Sequence, residues 1–217
     1  MDLSWVLDVS GTITEENFEN TKQFVNTVQA KIGIHSRNKA AVTTFGNYAH
    51  RDITCKDHDN TKDFLHAVKS LQRRPKEFTN TRDGLEKGHE SLIKQGCGVN
   101  DKAQKIIILL TDGLANRGIG KEEGLINASK AIQSSGTLIL VVAVGQFKDD
   151  QLIKMVPSDN IHRTKAKKGG GFAALNNEQF VGDVKRAICG NVVPTIGINL
   201  SYSFLFFSTL YIILLYI

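Results

Sequence analysis

"DLSWVLDVSGTIT", residues 2 to 14, opens with an almost unbroken apolar run, ends it at Asp8 and passes into a loop that carries two more oxygen donors, Ser10 and Thr12. A run of strand length without polar alternation suits a parallel strand buried on both faces, since a strand with one wet face would alternate. An acid at the end of such a strand fits two chemistries. Asp8 is either a nucleophile that takes up a phosphoryl group or, with Ser10 and Thr12, part of an oxygen shell around a divalent cation.

Working outward, three more runs of the same kind follow: "KAAVTTFG" (39 to 46), "QKIIILLTD" (104 to 112) and "TLILVVAVG" (137 to 145). Amphipathic stretches separate them. After Thr14, whose hydroxyl suits an N-cap, Glu15 and Glu16 sit where a helix dipole favours acids, and Phe18, Val25, Val28 and Ile32 recur at helical spacing. Helices are likewise predicted over 59 to 72, 81 to 96, 121 to 136 and 177 to 188, with a short one over 149 to 156. "NYAHRDIT" (47 to 54) alternates after a glycine and reads as an antiparallel edge strand, and a short last strand is expected around Ile161. The order β-α-β-β-α-α-β-α-β-α-β-α predicts an α/β fold: a doubly wound, mostly parallel sheet with one antiparallel edge strand and helices on both faces.

At 217 residues the chain holds one sizeable domain, placed at 1 to 190, followed by a hydrophobic segment over 191 to 217. The net charge of +5 is mild and its basic residues lie among acidic ones, so nucleic acid is not implied. "HRTKAKKGGG" (162 to 171), basic and glycine-rich, reads as a solvated loop. The last 23 residues, Thr195 to Ile217, carry no charge. As a helix they would run roughly 35 Å, enough to cross a hydrocarbon core of about 30 Å. They read as a transmembrane helix or a cleaved lipid-anchor signal, and both remain open. Met1 and Asp2 lead straight into the first strand with no signal peptide. Cys55, Cys97 and Cys189 leave at least one thiol without an intramolecular partner, and their pairing stays open. "NAS" at Asn127 and "NLS" at Asn199 match the glycosylation acceptor pattern.

In a doubly wound sheet, ligands sit outside the carboxyl ends of the strands where the strand order reverses. Asp8 and Asp112 both end predicted strands and would face one crevice. Candidates there are Asp8, Ser10 and Thr12, then Thr79 in "FTNTRDGL", then Asp112 in "LLTDGLAN". Two carboxylates and three hydroxyls make an all-oxygen set for a hard cation such as Mg2+, with Mn2+ or Ca2+ as alternatives. The carboxylates neutralise the cation, and the hydroxyls add ligands without charge, which leaves the metal electrophilic toward an outside carboxylate. The histidines (35, 50, 58, 66, 89 and 162) show no paired spacing, and no cysteine pair has zinc spacing. His66 and His89 are expected on solvated helix faces.

With "TNTRDGLEKG" and "KIIILLTDG", the opening stretch closely resembles the von Willebrand factor type A domain, also called the integrin I-like domain, from Asp2 to about Cys189. That family's metal-ion-dependent adhesion site reads D-x-S-x-S, then a threonine, then an aspartate. By position Asp8, Ser10 and Thr12 match the first element, Thr79 (the first threonine of "TNT") the second and Asp112 the third. Thr12 stands where serine is usual; its hydroxyl survives, and its methyl group is expected to crowd the loop or trim affinity. The resemblance implies a Rossmann-like fold and a non-catalytic, metal-dependent adhesion module. It implies a matrix or cell-surface protein partner, with collagens the commonest precedent; together with the apolar tail this gives a domain attached to a membrane at its C-terminus and facing outward. An intracellular scaffold of the same fold is the runner-up. In many such domains a cysteine after the last helix pairs with one ahead of the first strand. None precedes the strand here, and with the missing signal peptide this implies that the start of the chain is missing. "DVSGT" also resembles the D-x-D-x-T motif of haloacid-dehalogenase-type phosphatases, with Asp8 as nucleophile. Ser10 replaces the acid that would move the proton, and the nearest acidic pair, Asp149 and Asp150, opens a predicted helix.

Overall fold

The computed structural model describes residues 1–36, 38–74, 77–94, 97, 103–113, 115, 116, 118, 121–144, 149–164 and 171–190. Six strands, β1 (Asp2–Asp8), β2 (Lys39–Phe45), β3 (Ala49–Ile53), β4 (Lys105–Thr111), β5 (Leu138–Ala143) and β6 (Ile161–Arg163), form one sheet in the order β3-β2-β1-β4-β5-β6. Every neighbouring pair is parallel except β2 with β3, which closes an antiparallel edge. The chain moves outward from β1 to β2, then returns to place β4 on the other side of β1. The order therefore reverses between β1 and β4, and the crevice opens at their carboxyl ends.

Alternate residues of the central strands feed two cores. Leu3, Trp5 and Leu7 of β1 and Ile106, Ile108 and Leu110 of β4 pack beneath α1 (Glu15–Ile32), α2 (Thr61–Lys69) and α6 (Glu178–Gly190). Val6, Ile107 and Leu109 face α3 (Thr81–Lys94), α4 (Lys121–Ser134) and α5 (Asp149–Met155). With both faces covered, all seven residues of β1 are buried, which is the physical reason its sequence does not alternate. Trp5 is tied into the first core twice. Its indole N–H donates to Gln29 of α1 at 3.0 Å, and its ring meets Phe24 edge-on at 6.2 Å.

Local chemistry sets the ends of the helices. Thr14 is extended and its hydroxyl accepts from the Asn17 N–H at 3.1 Å, as the sequence predicts, while Gly33, at φ 79°, ends α1. The stretch predicted as a helix over 59 to 72 is helical only from Thr61 to Lys69, because Asn60 serves as the N-cap, its side chain accepting from the Asp63 N–H. Two short 3-10 turns, Ser158–Asn160 and Ala173–Asn176, went unpredicted; they are too short to show a period. Helix α3 comes unusually close to the sheet. A Cβ on Gly88 would lie 2.4 Å from Val6 and one on Gly84 2.8 Å from the Phe45 ring, so only glycine lets this helix approach. The segment leading into α3 carries Thr79.

Cys55, just after β3, is bonded to Cys97, beyond α3, and Cys189 is free and exposed. His66 is exposed as expected. His89 is a correction: it is half-buried against α4, where its ring meets the Ser135 hydroxyl at 3.2 Å, and burial lowers its pKa. Asn127 is exposed on α4. Among the described residues no helix is long and apolar enough to cross a membrane. The apolar tail, with Asn199, and most of the basic glycine-rich segment lie outside those residues.

Candidate metal centre

The loop after β1 is held at each step. Val9 extends the sheet by donating its N–H to the Phe45 carbonyl at 2.8 Å, the Ser10 N–H turns back onto Asp8 Oδ1 at 2.8 Å, and the Ile13 N–H reaches the Ser10 carbonyl at 3.1 Å. Ile13 is fully buried and Thr14 caps α1, so both ends of the loop are pinned. Asp8 is completely buried, and its second carboxylate oxygen accepts from the Thr111 hydroxyl at 2.6 Å. This bond joins the ends of β1 and β4 across the point where the strand order reverses.

Asp112, the first residue past β4, accepts from the Thr12 hydroxyl at 3.0 Å, and the Ser10 and Thr12 hydroxyl oxygens are 3.3 Å apart. The Thr12 hydroxyl spends its proton on Asp112, and the Ser10 hydroxyl lies between Thr12 and the Asp8 carboxylate, within reach of both. Four of the five sequence-predicted residues thus form one connected group. Thr79, 5 % exposed, is bonded to Asn116, four positions beyond Asp112: its N–H donates to Asn116 Oδ1 at 2.8 Å and its carbonyl accepts from the Asn116 N–H at 3.1 Å. The next residue, Asn80, donates its N–H to the carbonyl of Gly46, just after β2. Thr12, at the position where the adhesion-site pattern has serine, is exposed, with its hydroxyl in reach of both neighbours.

Both acids sit where burial disfavours their charged form. Burial pushes the Asp8 carboxyl up to about 6, against the lowering effect of its bonds from Thr111 and Ser10, and the nearby charge of Asp112 raises it further. Asp112 is likewise raised by burial, which outweighs its bond from Thr12. Among the described residues neither acid is paired with a basic side chain. Two partly or wholly desolvated carboxylates with neutral hydroxyls between them lack only a positive charge, and a divalent ion fits that donor set. No cluster of three or more His, Cys, Asp and Glu able to hold a metal occurs among the described residues, in keeping with a site of only two carboxylates. Asp149 and Asp150 open α5, so the acidic pair that phosphatase chemistry wants at a strand end is not formed by them.

Two residues in this group escaped the sequence reading. Thr111 is the last residue of an apolar run, and only the β1–β4 register, with Leu7 opposite Leu110, shows that its hydroxyl meets Asp8. Asn116 lies in a loop with no periodicity, where sequence carries no signal of its partner.

The profile of the von Willebrand factor type A domain matches residues 2–178, and the chain belongs to that family. Curated relatives include the collagen alpha-1(XII) chain of Notophthalmus viridescens, 25 % identical over 91 % of this chain and 20 % of that protein. Matrilin-1 of Gallus gallus is 24 % identical over 70 % of this chain and 30 % of its own length. The chain therefore spans less than a third of these relatives. Among solved structures, proximal thread matrix protein 1 from the mussel byssus superposes with a TM-score of 0.72, at 24 % identity over 87 % of this chain and 46 % of that one. A second structure of the mussel protein has a zinc-occupied MIDAS motif. The manganese-loaded TRAP protein of Plasmodium vivax aligns with a TM-score of 0.62, at 17 % identity over 83 % of this chain and 73 % of that one. At these identities the structural likeness is one of fold.

Proposed function

We propose that residues 1 to 190 form a non-catalytic adhesion module that binds a matrix or cell-surface protein through a divalent ion, Mg2+ in the first place. Asp8 and Asp112 would hold the ion, with Ser10, Thr12 and Thr79 as neutral oxygen ligands and a carboxylate of the partner as the outside ligand. The observation that carries this reading is the buried Asp8 carboxylate, linked to Asp112 by way of Ser10 and Thr12, with no basic side chain beside either acid among the described residues. When bound, the ion would supply a Lewis-acidic anchor for a carboxylate. The chain's own part is to hold the oxygens in place and keep the site short of negative charge.

The relatives support an extracellular setting, since a collagen chain and a matrilin stand among them. The buried Cys55–Cys97 bond supports an oxidising compartment over the intracellular scaffold reading. Attachment to a membrane through 191 to 217 rests on the composition of that segment alone. Ser10 stands where a phosphatase of that type carries the acid that moves the proton, which speaks against the phosphatase reading. The test is capture of the purified protein on surfaces coated with collagens or other matrix proteins. Binding that needs Mg2+ or Mn2+ and is lost in chelator supports the proposal. A partner held equally well in chelator contradicts it.

A further inference from the structure

Asn116 is exposed, lies outside the five-residue pattern and still makes two main-chain bonds to one residue. Its side-chain oxygen takes the Thr79 N–H at 2.8 Å, and its own N–H gives to the Thr79 carbonyl at 3.1 Å. The loop after β4, which begins with Asp112, is thereby clipped to the segment ahead of α3, which carries Thr79. The clip is backed from behind, because the N–H of Ala115 donates to Gln151 of α5 at 3.2 Å and Gln151 is 6 % exposed. On the far side of Thr79, the Phe78 N–H donates to Asn47 Oδ1 at 2.9 Å and the Asn80 N–H to the Gly46 carbonyl at 2.8 Å. Thr79 is thus held by its neighbours on one side and by Asn116 on the other.

We infer that Asn116 is a positioning residue for the metal centre: its paired bonds to Thr79 set the spacing between the Thr79 and Asp112 ligands and so the affinity for the ion. The inference rests on the metal reading proposed above. Removing the side chain leaves the Thr79 N–H without its acceptor and lets two ligand-bearing segments move apart before the ion binds. Groups that orient metal ligands from behind affect affinity about 10- to 100-fold in known sites. A neutral ligand held by its main chain depends on such support more than a charged one, which the ion attracts from a distance.

The test uses the full chain in detergent and compares wild type, Asn116→Ala and Asn116→Asp. Asn116→Asp keeps an acceptor oxygen at the same place and is the conservative rescue. Two quantities are read: the dissociation constant for Mn2+ by calorimetric titration, and hydrogen exchange of the Thr79 amide in chelator. Asn116→Ala should weaken Mn2+ binding about tenfold and speed Thr79 exchange. Asn116→Asp should bind at least as tightly as wild type and keep the amide protected. Because Asn116 is exposed, neither change opens a cavity in the core. Equal Mn2+ affinity in wild type and Asn116→Ala overturns this inference and leaves the metal reading standing. A wild-type protein that binds no Mn2+ overturns both.

Discussion

At the scale of single residues, Asp8 sets the terms. Its carboxyl is held at about 6 in the metal-free domain against an ordinary value of 3.8. The folded state therefore binds this proton more tightly than the unfolded chain, so the stability that Asp8 contributes is fully present below about pH 4 and is lost as pH rises from about 4 to about 6. At about 1.4 kcal/mol per unit, the loss is on the order of 3 kcal/mol for a group with no exposure. Asp8→Asn has no such proton to lose. In chelator the melting temperature of wild type relative to Asp8→Asn should fall across that window, and saturating Mg2+ should cancel the fall because a cation favours the ionised acid. Parallel pH profiles for the two proteins would show that the burial of Asp8 carries no such cost.

At the scale of elements, the strands were legible because the sheet is covered on both faces and its apolar runs are unbroken. Asp8 and Asp112 could be placed for the same reason, each closing a run. The hairpin was legible from its alternation, and α1 from Thr14 and the acids behind it. What remained hidden depends on register or on loops: the meeting of Thr111 with Asp8, the Asn116 clip, and the half-burial of His89, which follows from α3 and α4 packing side by side. Helix α3 links packing to the site, since its glycines let it approach the sheet and its leading segment carries Thr79. Gly88→Ala would drive a methyl group into Val6. Overpacking of this kind costs typically about 1–3 kcal/mol. The helix should shift outward, and metal affinity should fall along with the melting temperature. If stability falls while affinity holds, the position of α3 does not govern Thr79.

At the scale of the whole molecule, the Cys55–Cys97 bond closes a loop with a sequence separation of 42 that contains α2, α3 and Thr79. The sequence could count the cysteines, but their pairing depends on where two loops end in space. Chain entropy for a loop of that length gives at most about 4 kcal/mol. Replacing both cysteines by serine should lower stability by up to that amount and leave the metal site competent, since neither cysteine adjoins a proposed ligand. Loss of metal binding in a variant that still folds would tie the bond to the site. For the tail, truncation after residue 190 should turn a membrane-bound product into one that stays out of the detergent phase. Partition of the truncated protein into detergent would count against attachment through that segment.

The central claim is that Asp8 and Asp112, brought together at the crevice between β1 and β4, hold a divalent ion. Calorimetric titration of residues 1 to 190 with Mg2+ and Mn2+, wild type beside Asp8→Ala, tests it most directly. Saturable binding of one ion by wild type, absent from a folded Asp8→Ala, is the predicted result. Equal binding by the two proteins, or no binding by a folded wild type, would contradict it.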